Sequence, residues 1–71
     1  MISLTRLKGR PITVNAELIQ WVESAPDTVI TLTGGEKLMV LEGAEEVKRA
    51  VIAYRREIAI ALLQGAATVK E

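Results

Sequence analysis

Pro26-Asp27-Thr28-Val29-Ile30-Thr31-Leu32-Thr33-Gly34-Gly35 runs directly into Glu36-Lys37-Leu38-Met39-Val40-Leu41. This stretch decides the fold, because it reads as turn, strand, tight turn, strand. Pro26 presets φ for a turn, and Asp27 can hydrogen-bond its own backbone. Gly34-Gly35 tolerates the positive φ that a two-residue hairpin loop demands. The middle of the chain is therefore predicted to be a β-hairpin closed by a glycine pair.

Upstream, short alternating runs repeat the theme. Ile2 to Leu7 alternates, with Ile2, Leu4 and Arg6 on one face and Ser3, Thr5 and Leu7 on the other. Lys8-Gly9-Arg10-Pro11 punctuates it, with Gly9 the expected positive-φ residue and Pro11 at a tolerated strand-start position. Ile12-Thr13-Val14 then makes a hairpin with the first strand. Asn15 suits an N-cap, and Ala16-Glu17-Leu18 behind it fits one helical turn. Ile19 to Ser24 alternates again, placing Ile19, Trp21 and Glu23 opposite Gln20, Val22 and Ser24. About five short strands separated by turns predict a small antiparallel sheet or a partly closed barrel.

Downstream, the period changes from two to about three and a half. Gly43 breaks the last strand, and Ala44-Glu45-Glu46 puts acid into a helix's first turn, which suits its dipole. Val47, Val51, Tyr54, Ile58 and Ala61 share one stripe, which should pack on the sheet. Glu45, Arg49 and Arg56 lie opposite. Ile58-Ala59-Ile60-Ala61-Leu62-Leu63, however, is apolar all round, and Ile52, Ile60 and Leu63 point away from the stripe. A helix apolar on every side must be covered on every side, and so small a chain has nothing left to cover it. Self-association or docking through the helix's second half is expected. The predicted class is α+β: one sheet-plus-helix domain over residues 1–64, then a flexible tail over 65–71.

Composition narrows the chemistry. The chain has 71 residues, with no cysteine and no histidine. It therefore lacks disulfides and thiolate metal sites, the usual general base and the commonest metal ligand. Nine basic residues balance nine acidic ones, which lowers the expectation of a nucleic-acid partner. No run reaches the roughly 18 apolar residues of a membrane span, and a cytoplasmic location is expected. No motif sets a nucleophile beside a base, and no glycine-rich loop precedes a helix. No enzymatic activity, cofactor or metal is expected. Lys48, Arg49, Arg55 and Arg56 read as a solvated helix face. Arg6, Lys8 and Arg10 around the first turn invite an anionic partner more seriously, as an electrostatic contact that salt would weaken. Trp21 reads as core or as an interface anchor. With Ile52, Ile60 and Leu63 it completes the expected interface set.

Several blocks together resemble the FlbD family of small bacterial flagellar proteins, whose Gram-positive members are called SwrD. They are Met1-Ile2-Ser3-Leu4-Thr5-Arg6-Leu7-Lys8-Gly9, Asn15-Ala16-Glu17-Leu18-Ile19, Pro26-Asp27-Thr28-Val29-Ile30-Thr31-Leu32, Gly35-Glu36-Lys37, and a helix opening with Glu45-Glu46-Val47. This chain has Lys8-Gly9 and Gly34 where the family's turns are expected to carry Asn. The resemblance implies a non-enzymatic accessory protein for motility and swarming, tied to motor power through the stator. Joined to the apolar helix end, it leads to the expectation of a homo-oligomer that acts on a flagellar motor or stator protein at the cytoplasmic side of the flagellar base. It brings no catalytic residues. An alternative likeness, to the RNA-binding CsrA family, rests on Leu4-Thr5-Arg6 before a glycine turn. There Leu4 and Arg6 would sit at the RNA edge. The second half of that site should be basic, and this chain offers acidic Leu41-Glu42-Gly43-Ala44-Glu45-Glu46 instead, which would repel phosphate.

Overall fold

A computed structural model describes residues 1–64. β1 (Ile2–Thr5) and β2 (Pro11–Val14) form one antiparallel pair. β3 (Ile19–Glu23), β4 (Thr28–Leu32) and β5 (Lys37–Val40) form a second antiparallel sheet, and α1 (Ala44–Leu63) follows. The fold is α+β, as the periodicities require. The two sheets meet at one seam, where Arg6 bridges Val40 antiparallel and the Leu41 N–H donates to the Thr5 carbonyl at 2.8 Å. Strand neighbours thus run β2-β1-β5-β4-β3 without closing into a barrel. The tail expected over 65–71 lies outside the described residues.

Two hairpins use one loop design. In the first, the Gly9 N–H donates to the Arg6 carbonyl and the Arg6 N–H to the Arg10 carbonyl, both at 2.8 Å. In the second, the Gly35 N–H donates to the Leu32 carbonyl at 2.9 Å and the Leu32 N–H to the Glu36 carbonyl at 2.8 Å. Each loop therefore has three residues and ends on a glycine in the left-handed region, Gly9 at φ 93° and Gly35 at φ 94°. Gly9 takes its expected role. The second hairpin corrects the expected glycine-pair turn: Thr33 and Gly34 fill the turn, and only Gly35 needs positive φ. Between the hairpins, Asn15 caps a single 3-10 turn (Ala16–Leu18), its Oδ1 accepting from the Glu17 N–H at 3.0 Å.

β3 departs from simple alternation. Ile19 pairs with Leu32, Trp21 with Thr31 and Val22 with Ile30, which leaves Gln20 as the extra residue of a β-bulge. The bulge changes the facing of everything after it. Ile19 therefore joins Val22 against the core, whereas the alternation grouped it with Trp21 and Glu23. Trp21 is turned outward and is 53% exposed, so it is not a core residue.

The core is aliphatic and lies between the sheets and the first turns of α1. Ile2, Leu4, Val14, Ala16, Ile30, Val40 and Val47 are buried, with Ile12, Leu38, Val51 and Tyr54 packed around them. Across β1 and β2 the inward pairs are Ile2–Val14 and Leu4–Ile12; across β3, β4 and β5 the central row is Val22–Ile30–Leu38. α1 starts where the Glu46 carboxylate accepts the Gly43 N–H at 3.2 Å, which satisfies one otherwise unpaired backbone donor. Val47 is fully buried, Val51, Tyr54 and Ala61 are half-buried, and Ile58 is already exposed. The predicted stripe thus holds for its first half. A helix of this length runs about 30 Å, whereas the molecule measures 43 × 22 × 20 Å. Its second half projects beyond the sheets.

Candidate functional site

The basic residues of the first hairpin converge. Arg6, Lys8 and Arg10, with Leu7 and Met39, line an open depression of about 720 Å³. The three-residue loop holds Arg6 and Arg10 opposite each other, and the Arg6–Val40 bridge brings this loop beside Met39 of β5. Among the described residues the salt bridges are Lys48–Glu45 at 3.2 Å and Arg55–Glu17 at 3.9 Å. Neither involves the loop cations, so among the described residues no ion pair offsets their positive potential. The helix cations behave as a solvated face, two of them in exposed pairs of little energetic weight.

The outer face of the three-stranded sheet adjoins this depression. Directly opposed residues in antiparallel strands share a face. One outward row is therefore Trp21–Thr31–Lys37 and the next Glu23–Val29–Met39. Met39 is 51% exposed and belongs both to the sheet face and to the basic depression. Thr31 is only 4% exposed although it faces outward, because Trp21 and Lys37 flank it. Among the described residues its Oγ1 finds no hydrogen-bond partner. Sequence reasoning missed that the half-buried Val29 and the exposed Met39 share this outer face. The signal was present in the opposite parity of Ile30 and Leu38, once the inward row is known.

Ile52, Ile60 and Leu63 are exposed, Leu63 at 86%. They fall within about 80° of one another around the helix, and Ile52 lies about 140° from Val47. Ile52 also borders a groove of about 470 Å³ between α1 and β3, lined by Val22, Val47 and Val51 with Glu45, Lys48 and Arg55 at the rim. Trp21 stands apart from this set on the outer sheet face. The expected interface residues therefore occupy two surfaces.

Glu42 has a structural role that its sequence neighbourhood does not announce. Its carboxylate accepts from the Thr5 N–H and from the Thr5 hydroxyl, both at 2.9 Å, which locks the end of β1 to the start of the helix. Burial pushes its pKa up most strongly of any single influence. The hydrogen bonds from the Thr5 N–H, its own N–H and the Thr5 hydroxyl together outweigh that and hold it below its ordinary 4.5. Leu4 is buried at the centre of the core, so it is not available at an edge for RNA. The described residues contain no cluster of His, Cys, Asp or Glu that could hold a metal ion. They also contain no helix long and apolar enough to cross a membrane.

Fold and surface define a small α+β module whose chemistry lies in exposed cations and apolar side chains. Residues 1–59 match the FlbD family, described as flagellar and swarming motility proteins. The match spans most of the 71 residues, and the chain belongs to that family, which is not a known family of enzymes. No curated protein and no solved structure matches the chain.

Proposed function

We propose that this chain is a non-enzymatic flagellar accessory protein of the SwrD type. In this reading it assembles as a homo-oligomer through the projecting half of α1 and acts on the flagellar motor or its stator, from the cytoplasmic side of the flagellar base. Membership of a motility family supplies the setting. The observation that carries the assembly is the projecting helix itself: Ile60, Leu62 and Leu63 are exposed on consecutive faces beyond the sheets. An exposed apolar cluster of this kind is covered by association more often than it is left in water.

The test joins mass to motility. The purified chain should run as a multiple of its 7.7 kDa subunit, and Leu63→Glu should shift it toward the monomer. A strain carrying only Leu63→Glu should build flagella in normal number and swim or swarm weakly. An unchanged oligomer mass in the variant sinks the helix interface. Missing filaments would move the role from motor to assembly.

A further inference from the structure

We infer that the outer face of the β3–β4–β5 sheet, together with the basic depression beside it, is a docking surface for an extended segment of a partner protein. That segment carries apolar side chains along its length and carboxylates at one end. The inference deepens the proposed motility role by naming where a partner is held and by what chemistry.

The argument starts from charge. Arg6, Lys8 and Arg10 gather around one depression, and no carboxylate among the described residues is salt-bridged to them. Lys37, on the same side of the sheet, adds a further cation. Balanced composition thus hides a local excess of positive charge, which favours an anionic ligand. The apolar part comes from Met39, Val29 and Trp21, one on each strand of the sheet. With strands about 4.8 Å apart and residues about 3.3 Å apart along them, the track from Met39 to Trp21 is roughly 12 Å, about four extended residues. Met39 lines the depression and starts the track, so the two halves of the surface are continuous.

Shape and charge select among anionic partners. A bilayer surface asks for a protruding apolar tip, whereas Leu7 and Met39 line a hollow between the cations. A nucleic-acid backbone asks for cations along its whole path, whereas Glu23 shares the outer face with Trp21 and would repel phosphate at that end. A peptide meets both conditions. Its carboxylates fill the basic hollow, and its apolar residues cross the sheet toward Trp21.

Trp21 makes the test direct, because it is the chain's only tryptophan and lies at the far end of the track. The full chain is titrated with a synthetic twelve-residue peptide of four acidic residues followed by alternating Leu and Ser. The same peptide with amides in place of the acids, phosphatidylglycerol vesicles and a single-stranded oligonucleotide serve as comparisons. The acidic peptide should shift Trp21 emission to the blue and saturate. Its affinity should fall at least tenfold between about 30 mM and about 300 mM salt, as the Debye length shrinks. The double variant Lys8→Glu, Arg10→Glu, on an exposed loop, should lose binding at least tenfold while keeping wild-type mass. Equal binding of the amide peptide, an unaffected double variant, or no saturable shift with the acidic peptide overturns the inference. So does preferential binding of vesicles or of the oligonucleotide. Leu63→Glu should bind the peptide normally, so failure of the self-association reading and failure of this one are separable.

Discussion

Ile30 at the centre of β4 has no exposed surface, whereas Leu63 at the end of α1 is 86% exposed. Both are aliphatic residues of similar size in regular secondary structure. The sheet body covers Ile30 from both neighbouring strands, with Val22 on one side and Leu38 on the other. The helix outruns that body, and among the described residues none covers its end. The same residue type therefore sits in two settings: in the body it holds the fold together, and on the projection it stays exposed, where the proposed self-association would cover it. Hydrophobicity alone does not distinguish them; reach does.

The comparison breaks most visibly at the core. Ile30→Ala should cost about 2–5 kcal/mol by loss of buried surface and creation of a cavity, which is much of the stability a chain of this length possesses. Leu63→Ala should leave the unfolding free energy of the isolated subunit within about 0.5 kcal/mol. Urea unfolding of both variants at low concentration, where association is suppressed, measures the contrast. Equal losses would mean that the helix end is buried in the subunit after all.

A smaller effect sharpens the description of the body. Gly35 sits at φ 94° with open space around a would-be Cβ, whereas a Cβ on Gly34 would meet only the movable Glu36 carboxylate at 2.6 Å. Gly35→Ala should therefore lose about 1–2 kcal/mol, and Gly34→Ala should stay within about 0.5 kcal/mol or gain slightly. Thermal denaturation of the two variants side by side decides whether the adjacent glycines are equivalent.

The smallest effect is at the joint between body and helix, and pH reads it. The folded state holds the Glu42 carboxyl below its ordinary 4.5, so the unfolded chain binds that proton more readily. Its contribution is fully present above pH 4.5 and is lost as pH falls through the lowered folded value. The stability difference between wild type and Glu42→Gln should be constant from neutrality down to about pH 5 and shrink below it. Chemical denaturation across that range checks the sign; a difference that grows on acidification would contradict the Thr5 contacts.

Most of the fold was legible because local chemistry and global arrangement agree. Gly9 marked its own turn, Asn15 its cap, and the shared face of Ile2 and Leu4 followed from alternation. The change to helical spacing at Val47 was equally plain. What failed was counting. Alternation through β3 assumes that every residue pairs, and the bulge at Gln20 spoils that assumption for Ile19, which faces the core with Val22, without leaving a glycine or proline to announce it. The convergence of Arg6, Lys8 and Arg10 was visible as a cluster, but Met39 beside them was not, since the β1–β5 seam joins residues far apart in the chain. Glu42 was read only as part of an acidic stretch, because its partner Thr5 lies 37 residues away.

The unpaired Gln20 has one more effect, best stated as parity. A strand has two settings, and inserting one residue exchanges them for everything downstream, as one dropped stitch reverses the pattern of a row. Deleting Gln20 would restore the even count, drive the indole of Trp21 into an aliphatic interior with no space set aside for it, and expel Val22. The surface tryptophan and the interior valine are thus two outcomes of one extra peptide unit, and β3 tolerates changes of side chain far better than changes of length.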